Sequence, residues 1–202
     1  NNEPSKKLFL LFSSGLYTIT ITDNSFVEDN DGSYLLNNTE NLTGPKNRIL
    51  TATEISIKGY EFDNTNVNNK VSGLCLSDGS LVLELYYKPT VYNVNYVLNN
   101  GEVEGENVST YTILSPNITL INPTKQFSTF IGWTCKEIST PQTTMVIETG
   151  SVGNKEFIAN WEEYSYSVIF DGNGATAGTM SNLTNIKYSE IKKRPLWKKI
   201  KK

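Results

Sequence analysis

The chain has 202 residues, and its 11 Tyr, with many Thr, Val and Ile, make a composition that favours strands. It contains no His, which removes the commonest general base and the usual transition-metal ligand. Residues 1–190 carry 11 Lys and Arg against 21 Asp and Glu, and this excess of acidic residues argues against nucleic-acid binding. Residues 191–202 hold seven basic residues, which predict a solvated tail, with contact to an anionic surface as the alternative.

One strand pattern occurs three times at nearly equal spacing. It begins at Tyr17, at Tyr92 and at Tyr166, which are 75 and then 74 residues apart. In each copy large apolar side chains recur at every second position, which places them on one face of a strand. The spacing predicts a string of like modules. We expect a lead-in segment at 1–15, modules at 16–89 and 90–163, and a partial third repeat with the basic tail at 164–202.

The first module is predicted to continue with loops and one clear hairpin. The acidic stretch Asp23–Gly32 and the polar stretch that follows it up to Pro45 have no strand pattern, and the Asn-rich stretch Asp63–Asn69 is typical of a loop. Leu74–Tyr87 alternates around Asp78-Gly79, which predicts a β-hairpin with a tight turn. Lys88–Thr90 is predicted to be a linker, because its Pro stiffens the chain.

The second module shows further strand and turn signals in order. Strands are predicted at Tyr92–Leu98, Phe127–Trp133 and Phe157–Trp161, with a turn at Asn99–Gly101 after the first. The third repeat has its strand and a turn at Asp171–Gly174, and little else is predicted before the basic tail. Lys6–Phe12 at the start of the chain is too brief for a signal-peptide core, so we interpret it as a strand.

Six aromatic residues lie near strand ends at similar stations of the two modules. They are Tyr60, Phe62, Tyr87, Phe130, Trp133 and Trp161. Core packing is the favoured interpretation because their order repeats with the strands, and a sugar-stacking platform is the alternative.

No residue set predicts catalysis, a metal or a cofactor. The acidic loop Glu28–Gly32 lacks the first ligand of a calcium-binding loop, so a solvated turn is favoured. Gly172–Gly174 with Gly178 lacks the lysine of a phosphate-binding loop and predicts a turn. Cys75 and Cys135 lie in different modules, which predicts two largely buried free thiols. No catalytic, cofactor or metal residue is therefore assigned, and the ligand-binding residues stay unknown.

Two ordered sets of short motifs carry a family resemblance. The first set is Tyr17-Thr-Ile-Thr-Ile, Gly59-Tyr60, Ser72-Gly73, Asp78-Gly79 and Leu83–Lys88. With these the first module resembles the mucin-binding-protein repeat of Gram-positive surface proteins. The second set is Tyr92-Asn-Val94-Asn-Tyr96, Asn99–Gly101, Phe130–Trp133 and Ala159–Trp161, and Val168–Gly174 with Thr179-Met180 opens a third copy. These parts resemble the Listeria–Bacteroides repeat, the B-type repeat of internalin-like surface proteins.

The resemblance implies a fold and a role. Both families are associated with small ubiquitin-like β-grasp modules, in which a short helix or helical turn packs on a mixed sheet, so the expected class is mainly β or α+β. It also implies a non-catalytic segment of a bacterial cell-surface or secreted protein that acts as spacer, presentation and adhesion module. Expected partners are a host glycoprotein, glycan or protein, and neighbouring repeats. The alternatives are a glycan- or mucin-binding adhesin proper, or an accessory domain of a secreted polysaccharide-degrading enzyme.

Overall fold

The computed structural model describes residues 18–174, 176–178 and 181–193, so the lead-in segment, Thr179-Met180 and the tail after residue 193 lie outside it. The protein is mainly β and divides into two compact units. The first unit runs up to Thr90 and includes Thr112–Leu114, and the second takes Val91–Tyr111 and the chain from Ser115 onward. Within the described residues, no helix has the length and apolar character needed to cross a membrane.

The strands are short apart from a few long ones. The first unit contains β1 (Thr18–Glu28), β2 (Tyr34–Pro45), β3 (Ile49–Thr51), β4 (Tyr60–Phe62), β5 (Ser72–Leu74) and β6 (Val82–Pro89). The second contains β7 (Tyr92–Val97), β8 (Thr110–Tyr111), β9 (Ile118–Thr119), β10 (Ser128–Thr134), β11 (Val146–Ile147), β12 (Lys155–Glu163), β13 (Ser165–Val168), β14 (Leu183–Lys187) and α1 (Tyr188–Lys193).

The first unit is built on a mixed four-stranded sheet with the order β2-β1-β6-β4. β1 pairs antiparallel with β2 and parallel with β6, while β4 pairs antiparallel with β6. β3 and β5 form a separate two-stranded sheet. Because β1 and β6 are parallel, the chain between them has to return to the end of the sheet where β1 begins, and β2 makes this return.

Buried side chains occur at every second position of the two central strands, and this alternation decides which face of the first sheet is covered. Leu83, Leu85 and Tyr87 of β6 are buried, as are Ile19 and Ile21 of β1. Cys75 and Leu81 complete this core. Because successive side chains of a strand point to opposite faces, the residues that alternate with the buried ones lie on the other face of the sheet; they are Thr20, Thr22, Val82 and Tyr86. The side chains at every second position therefore specify one packed face and one open face.

The second unit repeats this strand order. Its sheet is ordered β10-β12-β7-β8, with β7 parallel to β12 and antiparallel to β8. Trp133, Ala159, Phe157 and Val94 lie at the centre of its core, and Trp133 is fully buried. In both four-stranded sheets the first and last strands form the central parallel pair, flanked by the second strand and by a later antiparallel strand.

The third repeat forms a small hairpin and one helical turn within the second unit. β13 pairs antiparallel with β14, and α1 follows directly. The Tyr188 ring stacks on Phe127 with 3.8 Å between ring centroids. The Ser189 hydroxyl donates a hydrogen bond of 3.0 Å to the Glu163 carboxylate. The prediction of little structure after Gly174 was thus wrong. The apolar residues of β14, Leu183 and Ile186, pair with Val168 and Tyr166 but lie three positions apart, so they do not show the alternation by which strands were predicted.

The predicted hairpin over Leu74–Tyr87 was also wrong. The turn at Asp78-Gly79 is present, since Gly79 N–H donates to the Leu76 carbonyl, but β5 pairs with β3 and β6 pairs with β1. Leu81 and Leu83 belong to the core formed with Ile21 of β1. Packing of β6 in the centre of the sheet, where both of its edges are paired, outweighs the local hairpin preference.

Two further predictions on the first module need correction. Asp23–Glu28, expected in a loop, continue β1, and the polar stretch before Pro45 is β2. The turn is confined to the residues around Asp29–Gly32. Lys88 and Pro89 are the last residues of β6 and pair with β4, so most of the predicted linker belongs to a strand.

Other predictions are confirmed. Asp63–Asn69 is a turn-rich loop, and Asn99 and Asn100 have φ of 51° and 67°, as a turn of left-handed residues requires. The fold is mainly β, as expected, and the four-stranded sheets contain both parallel and antiparallel pairs. The short helix implied by the resemblance is absent from residues 18–174, where turns and short strands connect the main strands.

Leu83→Ala tests the packed face of the first sheet. Leu83 is fully buried, so we expect a loss of about 2–5 kcal/mol of unfolding free energy. Val82→Ala, on the open face, is the matched control and should cost much less. Trp133 and Trp161 lie in or against the core of the second unit, so the change in Trp fluorescence on melting follows this unit while far-UV circular dichroism follows both. A fluorescence melt that shifts together with the circular-dichroism melt would contradict separate folding of the two units.

Candidate binding surface

The aromatic residues singled out in the sequence are mostly core residues. Trp133 and Tyr87 are almost fully buried, and Phe130 and Trp161 pack against the core of the second unit. Phe130 stands edge-on to Trp161, with 5.4 Å between ring centroids. Core packing is confirmed for these four residues, so they offer no stacking platform.

A different group of aromatic side chains lies on the open face of the first sheet. The Phe26 ring stacks on Tyr86 at 4.8 Å, and Tyr34 meets Tyr86 edge-on at 5.0 Å. Phe26 and Tyr86 are register partners across the parallel β1–β6 pair, and Leu36 is the partner of Phe26 on β2. We call Phe26, Tyr34 and Tyr86 the aromatic patch. All three rings are half-buried.

The Asn-rich loop is fixed beside this patch by backbone and side-chain bonds. Asp63 N–H donates to the Tyr86 carbonyl at 2.9 Å, and Tyr86 N–H donates to the Asn69 amide oxygen at 2.9 Å. The Asn69 amide in turn donates to the Asp63 carbonyl at 2.6 Å. The loop is thereby tied to β6, and its Asn66 side chain hydrogen-bonds Tyr34.

Carboxylates and one ammonium border the aromatic patch. Lys88 Nζ lies 3.6 Å from a Glu61 carboxylate oxygen and 3.9 Å from Asp63. Burial raises the pKa of Tyr34, and the nearby carboxylates of Glu28 and Asp63 raise it further. Polar donors and acceptors around apolar ring faces suit a ligand with both characters, such as a sugar or a peptide.

Sequence reasoning missed this patch because Phe26 and Tyr34 fall in stretches that were expected to be loops. One signal was available: Tyr86 and Tyr87 are adjacent in an alternating strand, so they must point to opposite faces. Since Tyr87 continues the buried series of Leu83 and Leu85, Tyr86 has to face outward.

Asp23 and Glu40 form a like-charged pair across β1 and β2. Burial raises the pKa of Asp23, and the Glu40 carboxylate adds to this effect. Adjacent like charges across two strands are destabilising. This pair is therefore a local cost to the first sheet.

The acidic turn forms its own hydrogen bonds. The Asp29 carboxylate accepts from Asn30 N–H at 2.7 Å, and the Asp31 carboxylate accepts from Ser33 N–H at 2.9 Å. Hydrogen bonds from the Ser33 side chain and from the Ser33 N–H lower the pKa of Asp31. In the described residues, no three His, Cys, Asp or Glu side chains converge as a metal site would require. Farther along, Asn173 N–H donates to Asp171 in the turn predicted there.

The two cysteines and a shallow concavity are the remaining candidate features. Cys75 is buried and Cys135 is partly buried, and both are free thiols. In the second unit an open concavity of about 670 Å³ is lined by Tyr96, Leu98 and Val108 among others. The Tyr96 hydroxyl donates to the Val108 carbonyl at 2.9 Å, and burial raises its pKa to about 12. Its hydroxyl is thus engaged within the unit, which leaves the aromatic patch as the stronger candidate surface.

Comparison with protein-family models and with curated proteins found no match for this chain. The resemblance to mucin-binding and Listeria–Bacteroides repeats therefore stays a prediction from the motifs that carry it.

Asp23→Asn should stabilise the first unit at neutral pH. The folded pKa of Asp23 lies above its ordinary value of 3.8, so ionisation opposes folding at higher pH. Because Asp23 is partly exposed, the gain should stay below about 1 kcal/mol. It should shrink as pH falls through the raised folded pKa toward 3.8, where the native carboxyl is also protonated. Thermal melts at several pH values measure this.

Asp31→Asn is the matched control, since the lowered pKa of Asp31 has the opposite sign. Its carboxylate stabilises the fold above the ordinary pKa, so this variant should lose stability at neutral pH and approach the parent in acid. An Asp23→Asn melt at pH 7 at or below that of the parent would contradict the interpretation of the carboxylate pair.

Proposed function

We propose that this chain is a non-catalytic repeat segment of a bacterial cell-surface or secreted protein. It is built from tandem β-grasp-type modules that act as spacers, present other parts of the protein and adhere to a partner. The observation that carries this is the shared topology. Both sheets place the first and last strands side by side and parallel, with the second strand on one flank. A mixed sheet is the expected core of the β-grasp modules that the motifs resemble.

The repeat period supports the same conclusion. The tyrosine-led strands recur at 75 and 74 residues, and the second and third copies begin at β7 and β13. Chains that repeat a small module gain reach and multivalent contact without a single tight site. Extracellular display, with neighbouring repeats and a host glycoprotein or glycan as partners, follows from this proposal.

A glycan-binding adhesin is the second candidate, and the aromatic patch favours it. Stacked Phe26 and Tyr86 rings beside Asp63, Lys88 and Asn66 combine a flat apolar surface with hydrogen-bonding groups. Sugar rings present the same two characters, an apolar face and hydroxyl groups at its border. The patch would then be the adhesive part of the module.

Retention on a mucin-coated surface tests the adhesive role. The Phe26→Ala, Tyr86→Ala double variant removes the stacked pair while leaving the packed face intact, so we expect retention to fall several-fold. Tyr164→Ala removes an aromatic ring that is 47% exposed elsewhere, and it should bind like the parent. Circular dichroism of both variants checks that they fold. Equal retention of the double variant and the parent would rule out the patch as the adhesive surface.

A further inference from the structure

The free edge of β2 is the longest unpaired strand edge in the described residues. β2 has 12 residues, pairs with β1 on one side and has no strand on the other among residues 18–174. An edge strand presents a row of backbone N–H and C=O groups that can pair with another chain. Seven of its residues are exposed.

The strand at the same position in the sheet of the second unit is much shorter. There the second strand, β8, has only two residues, so little edge is available. Proteins blunt edges with short strands, lysines, prolines and bulges. β2 carries one bulge, where its register with β1 shifts, has Pro45 only as its last residue, and contains no lysine. The long edge is therefore a feature of the first unit alone.

Apolar side chains flank one end of this edge. Leu35 and Leu36 are 54% and 57% exposed and, as neighbours in a strand, point to opposite faces of the sheet. An added strand would cover both, because side chains of adjacent strands lie next to each other on each face. The edge thus offers backbone pairing together with apolar contact.

Charge selects the kind of strand that fits. Glu40 lies beside Asp23, and among the described residues ion pairs involve Lys88 only, so this carboxylate pair has no cation. Residues 18–90 hold ten acidic and five basic side chains. A second copy of this unit would bring further negative charge to the edge, whereas a basic strand would neutralise it.

We propose that the free edge of β2 binds an extended, lysine- or arginine-bearing segment of a partner protein as an added strand. Its apolar side chains would cover Leu35 and Leu36, and a cation would lie beside Glu40. This names a partner class for the adhesive role proposed above and rests on it. The aromatic patch and the free edge are distinct surfaces of the same sheet.

A designed peptide tests this on the full chain. The probe is a twelve-residue peptide of alternating valine and lysine, followed by fluorescence anisotropy and by hydrogen exchange of backbone amides. Binding should slow exchange of the β2 amides that point away from β1, and it should weaken as salt is raised. Glu40→Lys should weaken binding about tenfold or more, because it places a cation against the cationic strand, while relief of the Asp23 pair keeps the unit folded. Glu54→Lys makes the same charge change on an exposed residue outside β2 and should bind like the parent.

Three results would overturn the proposal. In the first, a peptide with glutamate in place of lysine binds equally well. In the second, the basic peptide protects amides elsewhere, or none at millimolar concentration. In the third, the β2 amides that point away from β1 are already protected without peptide; loss of that protection on dilution then indicates a second copy, and persistence indicates that the chain covers its own edge. Mucin retention that still depends on Tyr86 would leave the proposed adhesive function intact in each case.

Discussion

The structure depends on one constraint, the parallel pairing of the first and last strands of each four-stranded sheet. Parallel neighbours cannot be joined by a tight turn, so the chain between them must return to the starting end of the sheet. In the first unit, the chain between β2 and β6 contributes Leu50, Ala52 and Cys75 to the core in which Leu83 is buried. The opposite face and the outer strands are left for solvent or for partners. Core position, open face and free edge all follow from this pairing.

Within this shared topology, the two units differ where binding would occur. The first has a long β1–β2 hairpin whose open face carries Phe26 and Tyr34 beside Tyr86 of β6. The second has a two-residue β8, and the aromatic residues of its four-stranded sheet lie in or against the core. The same framework thus supports a larger exposed surface in the first unit and a denser core in the second. This difference is the reason why we propose the adhesive role for the first unit.

Alternation predicted the central strands well, because Leu83, Leu85 and Tyr87, like Phe157 and Ala159, are buried on one face. Alternation did not predict β2, because a strand at the edge of a sheet that is exposed at most positions does not need apolar side chains at every second position. The hairpin at Asp78-Gly79 was wrong because a local turn signal does not specify which distant strand a segment pairs with. The aromatic patch depends on that same long-range register between β1 and β6. Pairing of distant strands is a tertiary property that short patterns do not encode.

Cross-strand nuclear Overhauser effects between backbone protons test the central claim most directly. The structure predicts contacts between Asp23 and Leu83 in the first unit, and between Asn95 and Glu156 in the second, in the pattern of parallel neighbours. Antiparallel contacts between β5 and β6, or contacts joining β1 to β7 in one sheet, would contradict it.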